Sequence, residues 1–282
     1  MNFTFCIECF CIYLIKQNLI NMKKIVFIIS ILFSINSYSQ YASGSFIVLK
    51  EGMEKEYLET EKLWQVYHKK SVMDGHKTLW SIWKVDVTNY EDKIEKDRFP
   101  DYFILEGYDT LEDLTAESER YSPEGFKEIS NYVKSKMKGK MSSRAINKIL
   151  SNPVRKETRM YHHQFLATTP FTGGGLKVGD KMTIAPMQQL QDDYEDFETN
   201  FYKDLFGKRV MNGDHRWWGF SKVINRNDNA LNISTHTAWN MFIEGKNMEM
   251  PKDFTSRKIM EITPLARKMY NPIQLTLVYV VD

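Results

Sequence analysis

The sequence predicts an α+β fold in which two β-α-β-β-α-β units follow one another on one chain and close into a single barrel. Three observations predict it. A stretch of the first half recurs 138 residues later in the second. Each copy passes from a helical to a strand-like pattern at a glycine. Aromatic residues, 13% of the 282 in the chain, are plentiful enough to fill a large interior.

The recurrence comes first because an internal repeat governs every later assignment. Lys70, Val72, Met73, Gly75, Trp80, Lys84 and Val85 are matched in order by Lys208, Val210, Met211, Gly213, Trp218, Lys222 and Val223. Asp74/Asn212 and Trp64/Tyr202 are close replacements. In both copies the helical stretch stops at glycine, which suits the left-handed residue that closes a helix. The aromatic segment beyond alternates at period two and reads as a strand.

The remaining elements fall around this pair. Residues 44–49 and 180–185 are short strands upstream, and the first helix spans 52–74. Residues 102–108 and 231–242 supply a third strand in each half, followed by helical segments. A last strand closes each half, near 159–168 and 273–281. This order is the ferredoxin-like unit, a four-stranded antiparallel sheet with helices on one face. Two such units cover each other's bare faces, here within one chain, as an intrachain pseudo-dimeric α/β barrel. The expected boundaries are 40–170 for the first unit, 171–178 for a connector and 179–282 for the second. The connector contains Thr172-Gly173-Gly174-Gly175, whose glycines lack the Gly-Lys-Ser/Thr end of a phosphate loop. Within the first unit, 127–156 carries nine basic residues (Lys127, Lys134, Lys136, Lys138, Lys140, Arg144, Lys148, Arg155, Lys156) against Glu128 and reads as a solvated helical insertion.

The first 39 residues differ from the rest. Met22-Lys23-Lys24, an apolar run from Ile25 to Phe33, and small residues at Ser37 and Ser39 have the make-up of a secretory signal cleaved after Ser39. Met22 is the expected true start, and the apolar run is too short for a lasting membrane anchor. Cys6, Cys9 and Cys11 all lie in this leader, so the mature chain holds neither disulfide nor thiol chemistry. Cleavage leaves 35 basic and 35 acidic residues, once Lys16, Lys23, Lys24 and Glu8 are removed. An exported protein, periplasmic or secreted, is expected.

Composition narrows the classes further. With 43% hydrophobic and 26% charged residues the chain is neither disordered nor a multi-span membrane protein. A net charge of +2 is too small to suggest nucleic-acid binding. The expected partner is a small, partly apolar ligand, with the chain a monomer or a homodimer.

The stretch Glu56-Tyr57-Leu58-Glu59, then Trp64, His68, Gly75 and Trp80, with its echo in the second half, resembles the dimeric α/β-barrel superfamily. That superfamily includes antibiotic-biosynthesis-type monooxygenases, stress-responsive barrel proteins, EthD-like proteins and the haem-binding chlorite-dismutase group. The resemblance implies the architecture over most of 43–282 and leaves the chemistry open, since one scaffold hosts unrelated reactions. The chlorite-dismutase group binds haem through a helical histidine of its second half. Here His215 and His236 fall on predicted strands, so no haem is expected, nor any other cofactor.

The candidate catalytic residues are His68 and Glu61, stacked seven apart on the flank of the apolar face of helix 52–74. The second copy has Phe206 and Thr199 there, so any site is asymmetric. In an enzyme of monooxygenase-like or isomerase-like type without cofactor, His68 would accept a proton and Glu61 would orient it. Trp64, Trp80 and Tyr57 are the candidate ligand-binding aromatics, and His163 and His236 the candidate polar contacts. His162 and His163 are adjacent on a strand and face opposite ways, so they cannot share one metal. The polar run Ser234-Thr235-His236-Thr237 fits either a cavity wall or an exposed edge strand. No His-Glu-x-x-His or His-x-His spacing occurs, and no metal is expected.

Overall fold

The structure, a computed structural model, describes residues 40–86, 99–246 and 250–282; the expected leader with its cysteines lies outside them. Strand β1 (Tyr41–Leu49) leads into helix α1 (Glu54–Met73), then β2 (Leu79–Asp86) and β3 (Tyr102–Tyr108). Helices α2 (Leu111–Arg120), α3 (Pro123–Lys136) and α4 (Ser143–Leu150) follow, and β4 (Arg155–Thr168) ends the first half. The second half runs β5 (Lys181–Gln189), helix α5, β6 (His215–Arg226), β7 (His236–Phe242), α6 (Phe254–Ala266), a short β8 (Arg267–Met269) and β9 (Ile273–Val281). Helix α5 is one path in three parts, Tyr194–Asp196, a wider π-type turn at Phe197–Tyr202, and Lys203–Met211.

The two glycines of the repeat do the same work. Gly75 has φ +75° and Gly213 φ +71°, values a side chain would strain. After α1, Gly75 N–H donates to Val72 O and His76 N–H to Ser71 O, at 3.0 and 2.9 Å. After α5, Gly213 N–H donates to Val210 O and Asp214 N–H to Arg209 O, at 3.1 and 2.9 Å. Both are Schellman ends, which satisfy the last carbonyls of a helix and turn the chain towards the sheet.

All strand pairs are antiparallel, in the order β7-β6-β4-β1-β3-β2-β9-β5, and β7 also pairs with β5, so eight strands close a barrel. Short β8 adds to β5. The first-half strands lie in the order β4-β1-β3-β2 and the second-half strands in the order β6-β7-β5-β9. The halves join edge to edge, β4 on β6 and β2 on β9. Closure removes the edges an open sheet would leave to aggregation.

Alternation along the strands separates the barrel interior from the packing on its outer face. Phe103, Leu105, Trp83, Val85, Met182, Ile184, Trp239, Met241, Leu275 and Leu277 point into the barrel. Ile47, Trp80, Ile82, Tyr102 and Ile104 point outward, under Tyr57 of α1. Trp80, Trp83, Trp218 and Trp239 are each below 2% exposed. A tryptophan burying about 200 Å² contributes about 5 kcal/mol before entropy is set against it. Inside the barrel Gly44 makes room for a ring, because a Cβ there would lie 3.0 Å from Phe103 Cζ.

The basic stretch 127–156 is less solvated than its charge suggests. Ile129, Val133 and Ile146 form a core with Leu63 and Tyr67 of α1, so α3 and α4 pack on α1 with their lysines outward. The polar run 234–237 is a correction of a different kind. Strand β7 is bonded on both sides, to β6 and β5, and His236 is 0% exposed, so the exposed-edge alternative fails.

Candidate functional site

Helix α1 turns Tyr57, Glu61, Trp64 and His68 towards the sheet, at the spacing i, i+4, i+7, i+11 of one helical stripe. Two of these positions, where apolar side chains would serve packing, carry ionisable groups, and both are buried: Glu61 is 1% exposed and His68 4%. Between the stripe and the outer face of the sheet lies a cavity of about 400 Å³. Glu61, Trp64, His68 and Trp80 line it, with Ser43 and Ser45 of β1, Glu106 and Tyr108 of β3, Tyr121, and Arg155 of β4. Its size falls within the range of small-molecule pockets.

A lysine organises the charges. Lys77, 2% exposed, is held just before β2 by the turn that ends α1. Its Nζ lies 2.6 Å from Glu106 Oε1, 2.8 Å from Glu117 Oε1 and 3.1 Å from His68 Nδ1. Glu117 also accepts from Tyr67 at 3.2 Å and from Arg120 at 2.9 Å, and Glu106 accepts from Tyr121 at 3.2 Å. One ligand atom from each of His68, Glu106 and Glu117 falls within 4.8 Å of the others, the grouping of a small metal site. The lysine ammonium already stands among them as their shared cation.

This geometry sets the state of His68. An ammonium has only protons to offer, so Nδ1 must accept and be unprotonated. Burial, then the positive charges of Lys77 and Arg155, hold the His68 pKa well below the ordinary histidine value. The ring is therefore neutral, its one proton is on Nε2, and no described protein group takes that proton. The imidazole lies flat on Trp80, with centroids 4.6 Å apart and planes at 16°. Trp64, one turn earlier on the same stripe, has its ring 6.1 Å away.

The expected pairing of Glu61 with His68 is not formed. Glu61 Oε1 instead accepts from Arg155 Nη2 at 2.6 Å, and Lys77 takes the His68 nitrogen that Glu61 was to orient. Burial raises the Glu61 pKa, and Arg155 pulls it back down. The second half shows the same frame with other chemistry. Phe206, in the place of His68, stacks on Trp218 at 5.2 Å and 10°, and His215 stands where Lys77 does.

The other candidates lie elsewhere. Tyr57 is 0% exposed, its ring 4.8 Å from Tyr102, in the core beside the cavity, where burial and the neighbouring Glu61 carboxylate hold its hydroxyl protonated. His163 points into the barrel and meets Ser221 Oγ at 3.1 Å. His236 stacks on Phe220 at 5.2 Å, with Glu195 Oε1 3.1 Å from its Nε2. The structure thus brings together His68, Glu61, Trp64 and Trp80, and leaves Tyr57, His163 and His236 outside their cavity. Lys77, Glu106, Glu117 and Arg155 are the site residues that sequence reasoning missed. Glu106 left one trace, a lone carboxylate in the otherwise apolar strand 102–108.

No protein-family model matches the sequence, and no curated protein matches it. Among solved structures, the chain is similar to a provisionally named monooxygenase from Lactobacillus acidophilus NCFM, with a TM-score of 0.50 and 11% identity over 86% of this chain and 99% of that one. An anthrone oxidase-like protein gives a TM-score of 0.47 at 9% identity, over 87% of this chain and 94% of that one. A mutant chlorite dismutase from Candidatus Nitrospira defluvii gives 0.40 at 6%, again over 87% and 94%. The first likeness carries the fold and nothing more at such identity. The fold is α+β with a closed eight-stranded antiparallel barrel, a barrel class shared with that first neighbour.

Proposed function

We propose that the protein is a small-molecule-binding member of this barrel class. Its ligand is planar, uncharged and partly apolar, and sets an acceptor oxygen against His68 Nε2. The observation that carries this reading is the neutral His68, buried in a cavity wall, with its Nε2 proton unclaimed. Charge in the wall supports an uncharged ligand, because Glu61 is met by Arg155 across the lining and Glu106 by Lys77 behind it. Trp64, Trp80 and Tyr108 supply flat apolar surface, and Ser43 and Ser45 a second polar contact. The enzyme reading with His68 as proton acceptor lacks a free lone pair to accept with. A donor that polarises a carbonyl is what this imidazole can be.

The test is titration of the protein with 9-fluorenone, a flat neutral ketone, followed by quenching of tryptophan fluorescence. Saturable binding that weakens about three- to tenfold in His68→Leu, the worth of one hydrogen bond, supports the reading. Equal binding by His68→Leu, or none by the wild type, overturns it.

The barrel is read further as two ferredoxin-like units produced by duplication, 40–170 and 179–282, joined through 171–178. The seven identical pairs, the twin Schellman ends and the matched ring stacks over Trp80 and Trp218 support that origin. The mature protein is read as exported, periplasmic or secreted, on the strength of the sequence around Met22–Ser39. N-terminal sequencing of the protein from its native host should begin at Gln40; a chain beginning at Met1 or Met22 contradicts export with cleavage.

A further inference from the structure

We infer a second ligand site, inside the barrel at the end where β4 and β7 begin, for an uncharged, largely apolar molecule with one acceptor oxygen. A cavity of about 830 Å³ opens there, twice the size of the one under α1 and on the opposite face of the sheet. Eight strands make a barrel just wide enough to be packed solid or to hold one small ligand. Here one part of the interior is packed, around Trp83, Trp239 and Phe103, and the other, walled by Phe46, Tyr161, Ile184 and Ile273, is not filled by any of the described residues.

Three features distinguish it from a packing gap. At its inner end stands His163, 4% exposed. Trp239 Nε1 donates to Ser221 Oγ at 2.8 Å, and the Ser221 hydroxyl lies 3.1 Å from His163 Nδ1. The Ser221 hydroxyl has one proton and two lone pairs, one of them engaged by the indole. Of the two acceptors in reach of its proton, Nδ1 at 3.1 Å is nearer than Thr237 O at 3.5 Å. With the proton on that bond the His163 proton stands on Nε2, with no protein acceptor among the described residues. At the mouth, Leu231 and Ile233 are 56% and 44% exposed although their loop is fixed. Leu231 N–H donates to Tyr161 Oη at 2.8 Å, and Arg226 donates to Leu231 O and Ser234 O at 2.7 and 2.9 Å. A pinned loop that holds apolar side chains in water at a cavity rim is a collar for an apolar body. The charged groups there, Arg159 and Glu157, are spent on each other at 2.7 Å, and an ionised headgroup would be buried without a partner.

The experiment uses Nile red, a neutral dye with a ring carbonyl, and reads its fluorescence. The wild type is expected to bind it saturably. Leu231→Asp/Ile233→Asp, which alters exposed side chains only, should weaken binding at least tenfold. Nile red also suits the cavity under α1, so the rim and His163 variants are read in a Trp64→Ala background, which disables that cavity and should still bind the dye saturably. His163→Leu should weaken binding about three- to tenfold and shift the emission to the blue, and His163→Gln, which keeps a donor, should restore both. Absence of saturable binding, in the wild type or in Trp64→Ala, overturns the inference, as does undiminished binding in the rim variant. Unchanged affinity and emission in His163→Leu overturn the role of the histidine.

Discussion

Replacing Lys77 by Met keeps the bulk of the stem and removes the ammonium around which the site is built. In the wild type that ammonium serves Glu106, Glu117 and His68 at 2.6, 2.8 and 3.1 Å. Glu117 keeps Arg120 at 2.9 Å after the change, so its charge stays compensated. Glu106, with a side chain 12% exposed, loses its cation and keeps hydroxyl donors, Tyr121 at 3.2 Å among them. Breaking a buried pair by removing one partner costs about 3–5 kcal/mol, and one compensated carboxylate out of two places Lys77→Met near about 3 kcal/mol. Urea unfolding at pH 7, followed by tryptophan fluorescence, should show a midpoint lower by about 1 M or more. Lys77→Met/Glu106→Gln removes the orphaned charge and should recover at least about 1 kcal/mol. A loss below about 1 kcal/mol, or a double variant no more stable than the single one, refutes the cage as the organising contact.

Three further outcomes follow from the same geometry. Gly44→Ala forces a methyl to within 3.0 Å of the Phe103 ring and should cost about 1–3 kcal/mol in urea unfolding; a neutral result would mean the barrel wall yields freely. Burial, then the charges of His162 and Arg226, hold His163 at about 3 in the folded protein, against about 6.5 unfolded. The unfolded chain therefore takes up a proton below about pH 6.5 that the native one refuses until about 3, so stability falls on acidification through that window. From pH 7 to 5 this one group should cost about 2 kcal/mol, and His163→Gln should flatten the slope by that amount; parallel curves would contradict it. Arg155→Met leaves Glu61 buried without its cation and should destabilise by about 3 kcal/mol, with Glu61→Gln/Arg155→Met recovering part; equal stability of single and double variants would deny the pair its importance.

The parts of this molecule legible in the sequence are those written in local pattern. The glycines at 75 and 213 announce the helix ends because only a left-handed residue closes them. The period-two stretches give the strands, and the stripe on α1 brings Glu61, Trp64 and His68 to one surface over Trp80. What a local pattern cannot carry is a contact across the fold. Lys77 meets Glu106 and Glu117 from 29 and 40 positions away, through β3 and α2. Arg155 reads as one of nine charges in a basic stretch until β4 delivers it to Glu61. Pairing Glu61 with His68 was natural from a single helix, and wrong because each finds its partner on another element. Strand β7 misleads in the same way, since barrel closure buries a run of polar letters that an open sheet would expose.

The neutral, Nε2-protonated His68 is the claim on which the site rests. Long-range proton–nitrogen correlation spectra of the histidine-labelled protein, with His68→Gln to assign the signal, test it directly at pH 7 and again at pH 5.5. The expected spectrum has a pyridine-like Nδ1 and a pyrrole-like Nε2 for His68 at both pH values, with the Nε2 signal moving when 9-fluorenone is added. An imidazolium at either pH, or a proton found on Nδ1, contradicts it.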